Sequence, residues 1–283
     1  MISEKNFNEI KSAPPIISSR IELVNTRDIV NVKASLMRKI IAETEENHDA
    51  EKIIGSIDFV EFKKVMTDMI LDVCPDFPIN DINILPLEKT RFYKEYGLIP
   101  EGHAQYSSLE NVIIVDYYRL KKLFPDSIND KIIHCYFHEQ VHAVSKVVCR
   151  YGTYESNIVR MGYMYQDGDD ELFRMLDEAV TEKMTREIIA KYKEAKQVTA
   201  SNDHQGAYDE SIALLDEVIK KISIKMGVDE SAVWKKIQCE KIIGMETGKT
   251  GFIDELRKIF SNEFVDNLSR DNLRVALKEL EKF

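Results

Sequence analysis

Long apolar runs are missing from this sequence. No stretch approaches the ~18 uninterrupted apolar residues that a membrane span needs, and the N-terminal MISEKNFNEIKSAPP lacks the apolar segment of a secretory leader. Cysteine is scarce and scattered: Cys74, Cys135, Cys149 and Cys239 include no CxxC pair. In a chain of this size they read as buried free thiols of a reducing compartment. A cytoplasmic location is therefore expected, with export lacking a cleaved leader as the alternative. Basic charge is also in deficit. Lys and Arg number 39 against 49 Asp and Glu, a net charge of −10. Nucleic acids and anionic membranes, which require a basic surface, are not expected partners. Proline and glycine are few, 7 and 11, and no repeat or low-complexity tract is visible.

What is present is an ordinary globular balance, 44% hydrophobic and 31% charged over 283 residues. That is enough to bury a sizeable core in one large domain or two modest ones. Residues 1–50 are polar, with an extended-looking Ala13–Ile17 and a helical stretch near 28–45. The polar run Glu45–Asp49 marks a candidate boundary, so 1–50 is expected as an N-terminal extension and 51–283 as the main domain. Ile57, Val60, Val65, Met69 and Ile70 predict a helix over 57–73, stopped by Pro75 and Pro78. Strands are expected at Asn80–Leu87 and Asn111–Asp116, with a short one near Gly102–Tyr106. From about 128 onward the pattern is helical, which predicts an α+β fold with a small β-sheet preceding the helices.

The chemistry is concentrated in His138-Glu139-Gln140-Val141-His142, an HExxH sequence. A helix is predicted around it, opened by Pro125-Asp126-Ser127 and stopped at Tyr151-Gly152. On a helix, residues i and i+4 share a face, so His138 and His142 can present imidazoles to one ion. Glu139 can then reach a metal-bound water as general base. The competing reading is two hydrogen-bonded histidines on a core helix, and a third ligand decides between them. Leu176-Asp177-Glu178-Ala179-Val180-Thr181-Glu182 supplies the candidate, Glu178, 36 residues after His142. A second helix, predicted over about 170–194, is apolar on every side (Leu172, Phe173, Met175, Leu176, Val180, Met184, Ile188, Ile189), the signature of a buried helix. Glu178 and Glu182 are neighbours on it, and burying two adjacent carboxylates is costly without a cation or histidine partner. A solvated acidic stripe is the alternative.

HEQVH followed by DEAVTE resembles the gluzincin, thermolysin-like branch of zinc metallopeptidases. The resemblance covers about 105–215 and implies a zincin-like fold, a bound Zn2+ and hydrolysis of a peptide or protein substrate. By position it implies His138, His142 and Glu178 as metal ligands, Glu139 as general base, and Glu182 as the acid that orients a ligand histidine, His138 being the first choice of partner. The same order is similar to small bacterial gluzincin-like proteins, in which a segment like Met161-Gly162-Tyr163 lies between the helices and a tyrosine like Tyr208 opens the next one. Two features depart from the pattern: the 36-residue gap is longer, and no transition-state histidine is identifiable downstream.

Other residues are weighed against the motif. His134 extends the stripe to His134/His138/His142, but a straight helix separates the outer two by about 12 Å along its axis, too far for one ion. It is expected to be a packed or surface histidine. Either His204 or Tyr208 can stabilise a developing oxyanion; a packing role weighs equally for Tyr208, and a polar-loop role is the favoured reading of His204. Trp234 reads as a core aromatic. The expected function is a mononuclear zinc peptidase. The alternatives are a metal-binding scaffold or regulator without turnover and a helical interaction protein without metal.

Overall fold

The computed structural model describes residues 21–23, 44–93, 102–108, 111–151, 156–167, 170–197, 208–243 and 251–283. Nine strands and ten α-helices are assigned among them. The strands are β1 (Ile21–Leu23), β2 (Thr44–Glu45), β3 (Thr90–Tyr93), β4 (Ala104–Ser107), β5 (Val112–Val115), β6 (Val147–Tyr151), β7 (Ser156–Met161), β8 (Met164–Asp167) and β9 (Asp170–Leu172). The helices are α1 (His48–Gly55), α2 (Phe59–Val73), α3 (Tyr117–Leu123), α4 (Ile128–Val144), α5 (Arg174–Ala195), α6 (Asp209–Met226), α7 (Glu230–Ile243), α8 (Gly251–Ile259), α9 (Asn262–Ser269) and α10 (Leu273–Leu280). The fold is α+β and mostly helical. No helix of the described residues is long and apolar enough to cross a membrane.

A four-stranded sheet, ordered β2-β3-β5-β4, precedes α4, as the sequence predicts. Its β3 and β5 run parallel, and β4 lies antiparallel at the edge. A second sheet, ordered β1-β6-β7-β8-β9, lies between α4 and α5. This corrects the expectation of an almost entirely helical chain after 128. The predicted helix runs through Val147, Val148 and Cys149, whereas α4 ends at Val144 and those residues open β6. Ser145 breaks the helix by turning extended, ψ 151°. Beyond it the β-branched pair finds hydrogen-bonding partners in β7 and β1.

The strand expected at Asn80–Leu87 does not form either. Ile79–Asp81 and Leu87–Lys89 are single 3-10 turns, and the apolar residues between them run irregularly. Their backbone groups are taken by side chains of α4. Gln140 accepts from Leu85 N–H at 2.9 Å and donates to Leu85 C=O at 2.7 Å, while the Tyr136 hydroxyl donates to that same carbonyl at 2.5 Å. The helix expected over 28–45 lies outside the described residues except for Thr44 and Glu45, which form β2. The 50/51 division falls inside α1, and β1 joins the second sheet through β6.

Helix α4 is the centre of the molecule, packed on by α1, α3, α5, β4 and β5. Phe137 stacks closely on Phe62 of α2, ring centroids 4.2 Å apart, and meets Tyr192 of α5 edge-on at 5.4 Å. Such pairs contribute ~0.5–1.5 kcal/mol beyond their burial, and here they fix the spacing between α4 and α5. Trp234 is buried as expected, with its indole N–H donating to Glu187 at 2.7 Å. Of the described cysteines, Cys74 is buried, whereas Cys135 and Cys239 are only half-buried, because they sit at the flanks of their helices; all three are free thiols.

Candidate metal centre

The HExxH residues occupy the last two turns of α4, and all five are buried. No glycine or proline interrupts the helix before Ser145, so the two histidines are held one turn apart, ring centroids 5.1 Å from each other. Helix α5 lies against this face and brings Glu178 between them. One Glu178 oxygen is 3.0 Å from His138 Nε2, and the other is 3.5 Å from His142 Nε2. Donor atoms of His138, His142 and Glu178 lie within 4.8 Å of one another, so the three can hold a metal ion. An ion ~2.1 Å from each of several tetrahedral ligands sets those ligands ~3.4 Å apart. The observed spacings match that figure.

Behind each histidine stands a carboxylate. Glu182, one turn after Glu178, lies with Oε2 3.1 Å from His138 Nδ1. His134 Nε2 shares that same oxygen at 2.9 Å. The other Glu182 oxygen accepts from Arg186 Nε at 2.8 Å, and Arg186 also binds Asp209 at the start of α6. His134, His138 and Glu182 form a second group of metal-type donors, but the Arg186 guanidinium on Glu182 opposes a second cation there. His134 is thus tied to the periphery of the site.

His142 has Asp177 behind it, Oδ2 3.6 Å from Nδ1, and that buried nitrogen has no hydrogen-bond partner. Neutral His142 coordinating through Nε2 would carry its proton on Nδ1, facing Asp177. Asp177 would be the acceptor nearest that proton, 3.6 Å away and just beyond hydrogen-bond distance. Asp177 is itself held in place. Its Oδ1 accepts from Tyr163 N–H at 2.8 Å and from the ammonium of Lys241, fully buried on α7, at 2.7 Å. Tyr163 and Gly162 form the two-residue loop between β7 and β8, and Gly162 takes φ +57°, a conformation suited to glycine.

Glu139 is buried beside the two histidines and accepts from Tyr106 N–H of edge strand β4 at 2.6 Å. Burial pushes its carboxyl above the usual range, against the pull of His142 and His138. Tyr208, at the N-terminus of α6, lies parallel to the His138 ring, centroids 5.8 Å apart, and its hydroxyl donates to Glu178. Burial and the neighbouring charges of Glu178 and Glu139 raise its ordinary value. His204 lies outside the described residues.

The charge balance bears on what the site holds. Among the described residues, Asp177, Glu139, Glu178 and Glu182 are paired with Lys241 and Arg186 as permanent cations. With both histidines neutral, two negative charges stay uncompensated in a buried region, and a divalent cation would balance them. In the ion's absence protons answer the same demand. Burial opposes charge on His138, but its hydrogen bonds to Glu178 and Glu182 outweigh it and push the imidazole up to about 10. Glu178 is held well below the carboxylate range: burial would raise it, and the charge of His142 and the hydrogen bond to His138 prevail.

Models of protein families, curated proteins and solved structures all yield no similar partner. The site therefore has to be judged on its own geometry.

The structure brings together His138, Glu139, His142, Glu178 and Glu182, with Tyr208 alongside. Asp177 and Lys241 went unrecognised in the sequence. Asp177 was visible there as the residue before Glu178, about 100° around the helix from it, and it faces the other histidine. Lys241 carries no signal, being one lysine among many, 64 residues downstream on a helix whose packing against α5 is not encoded locally.

Proposed function

We propose that this chain is a zinc-dependent peptidase with a zincin-like arrangement of its catalytic helices. The carrying observation is the convergence of His138 Nε2 and His142 Nε2 on the two oxygens of Glu178, with the Glu139 carboxylate beside them. His138, His142 and Glu178 would hold the ion, a donor set of two imidazoles and one carboxylate that suits Zn2+ and leaves a position open. When bound, zinc would acidify a water and polarise a carbonyl.

The remaining tasks fall to the chain's own groups. Glu139 takes the proton from the attacking water and passes it to the departing amine. Its raised basicity, set by burial, suits it to accept and return that proton. Glu182 fixes the tautomer of His138, and the Asp177 carboxylate facing Nδ1 of His142 favours the same tautomer there, so that each offers Nε2 as a lone pair. The Tyr208 hydroxyl, at the Glu178 side of the site, is the donor available to a developing oxyanion. Edge strand β4, which touches Glu139 through Tyr106 N–H, lies where an extended peptide can add to the sheet.

The test is cleavage of an unbiased peptide library by the zinc-loaded chain and by Glu139→Gln. The amide keeps the shape and cannot accept the proton, so turnover should fall by ~100-fold or more with zinc retained. Undiminished cleavage by Glu139→Gln would remove the general-base role. No cleavage by the unaltered, zinc-loaded chain would favour a metal-binding scaffold.

A further inference from the structure

Away from the metal centre, the junction of α2 with α7 carries a second chemically competent group. Cys74 caps the C-terminus of α2, and Cys239 lies on α7, which packs against it. Both are free thiols and both line one cleft of about 420 Å3, together with Phe77, Asp76, Asp81 and Lys146. Their side chains are hydrogen-bonded to each other although 165 positions separate them in the chain. Neither belongs to a metal-type donor group among the described residues.

We propose that Cys74 and Cys239 are a paired oxidation site, which closes to a reversible disulfide between α2 and α7 when the chain meets a peroxide. Cys239 is the more exposed sulfur and accepts the hydrogen bond from the Cys74 thiol, which holds it below the ordinary thiol range; that same hydrogen bond, followed by burial, pushes Cys74 up. Cys239 is therefore the attacking thiolate. Its sulfur bonds to one peroxide oxygen, the O–O bond breaks, and the leaving hydroxide takes a proton to become water. The product is a sulfenic acid on Cys239. Cys74 sulfur then attacks the Cys239 sulfur and loses its proton, and the S–O bond breaks to release a second water. Two thiols and one peroxide become one disulfide and two waters. Side chains already hydrogen-bonded to each other have to close to the ~2.05 Å of the S–S bond. The bond would lie two residues from Lys241, on the helix that holds Asp177 at the metal centre.

The full chain, treated with hydrogen peroxide, alkylated and digested without reductant, tests this by mass spectrometry. The expected result is a Cys74–Cys239 cross-linked peptide that a dithiol reductant reverses. It should form roughly tenfold or more faster in the folded chain than in the same chain unfolded in guanidinium, where the effective concentration of the pair is lost. In Cys74→Ser, a sulfenic acid should become trappable at Cys239. The proposal is overturned if Cys239 passes to sulfinic or sulfonic acid with no cross-link. Equal cross-linking in the unfolded chain overturns it as well. Neither outcome depends on metal or on peptidase activity.

Discussion

Replacing Gly162 by alanine should disturb the metal centre from outside it. A Cβ at this position would lie 2.3 Å from Asp177 Oδ1 and 2.8 Å from Lys241 Nζ. Both atoms are buried and committed, Asp177 to Tyr163 N–H and Lys241 to Asp177. The backbone alone, at φ +57°, costs an alanine ~1–2 kcal/mol. Separating a buried carboxylate from its ammonium costs ~3–5 kcal/mol when one partner is removed. Here the partners are displaced and keep part of their contact, so we expect a loss of about 3 kcal/mol. Guanidinium unfolding of the metal-free chain measures it. Zinc affinity should fall in parallel, because Asp177 can no longer stand behind His142. Gly162→Asn separates the two causes: asparagine tolerates the left-handed backbone but carries the same Cβ. It should remain destabilised. A Gly162→Ala chain within ~0.5 kcal/mol of the original, the range of an inconsequential surface change, would refute the reasoning. Full rescue by Gly162→Asn would refute the steric part of it.

Glu182→Gln should keep the fold and weaken zinc retention by ~10–100-fold, the usual effect of losing the group behind a ligand histidine, as read by chelator competition. Unchanged zinc affinity would reduce Glu182 to a partner of His134 and Arg186. At the far end of α5, Phe173 occupies the N-cap with a left-handed backbone and no side-chain cap, and Asp271 accepts from Met175 N–H instead at 2.8 Å. Asp271→Ala should therefore cost ~1 kcal/mol in chemical denaturation, as loss of a helix cap does; no measurable change would show that the first turn is held by other contacts.

The convergence of His138, Glu139 and His142 was legible because it depends on one helix and one period. HExxH on α4 needs only local geometry to place His138 and His142 on the same side. Glu178 and Glu182 were legible for a related reason: acids at i,i+4 on a helix apolar all round demand a partner. The His138–Glu182 contact followed from that offset. What failed was the reading of β-branched runs. Val147-Val148-Cys149 continue the apolar pattern of α4, and only the tertiary availability of β1 and β7 makes them a strand. Asn80–Leu87 erred in the opposite direction, since a strand pattern was captured by Gln140 and Tyr136, two side chains of the motif helix itself. The Asp177–Lys241 pair depends on helices far apart in sequence, and no local pattern announces it.

The most direct test is the zinc content of the purified chain, measured by mass spectrometry of the metal after loading and exhaustive dialysis. The account predicts one zinc per chain, and none retained when His138, His142 or Glu178 is replaced by alanine in a chain that still folds. A chain that retains no zinc would contradict it, and so would full occupancy in Glu178→Ala.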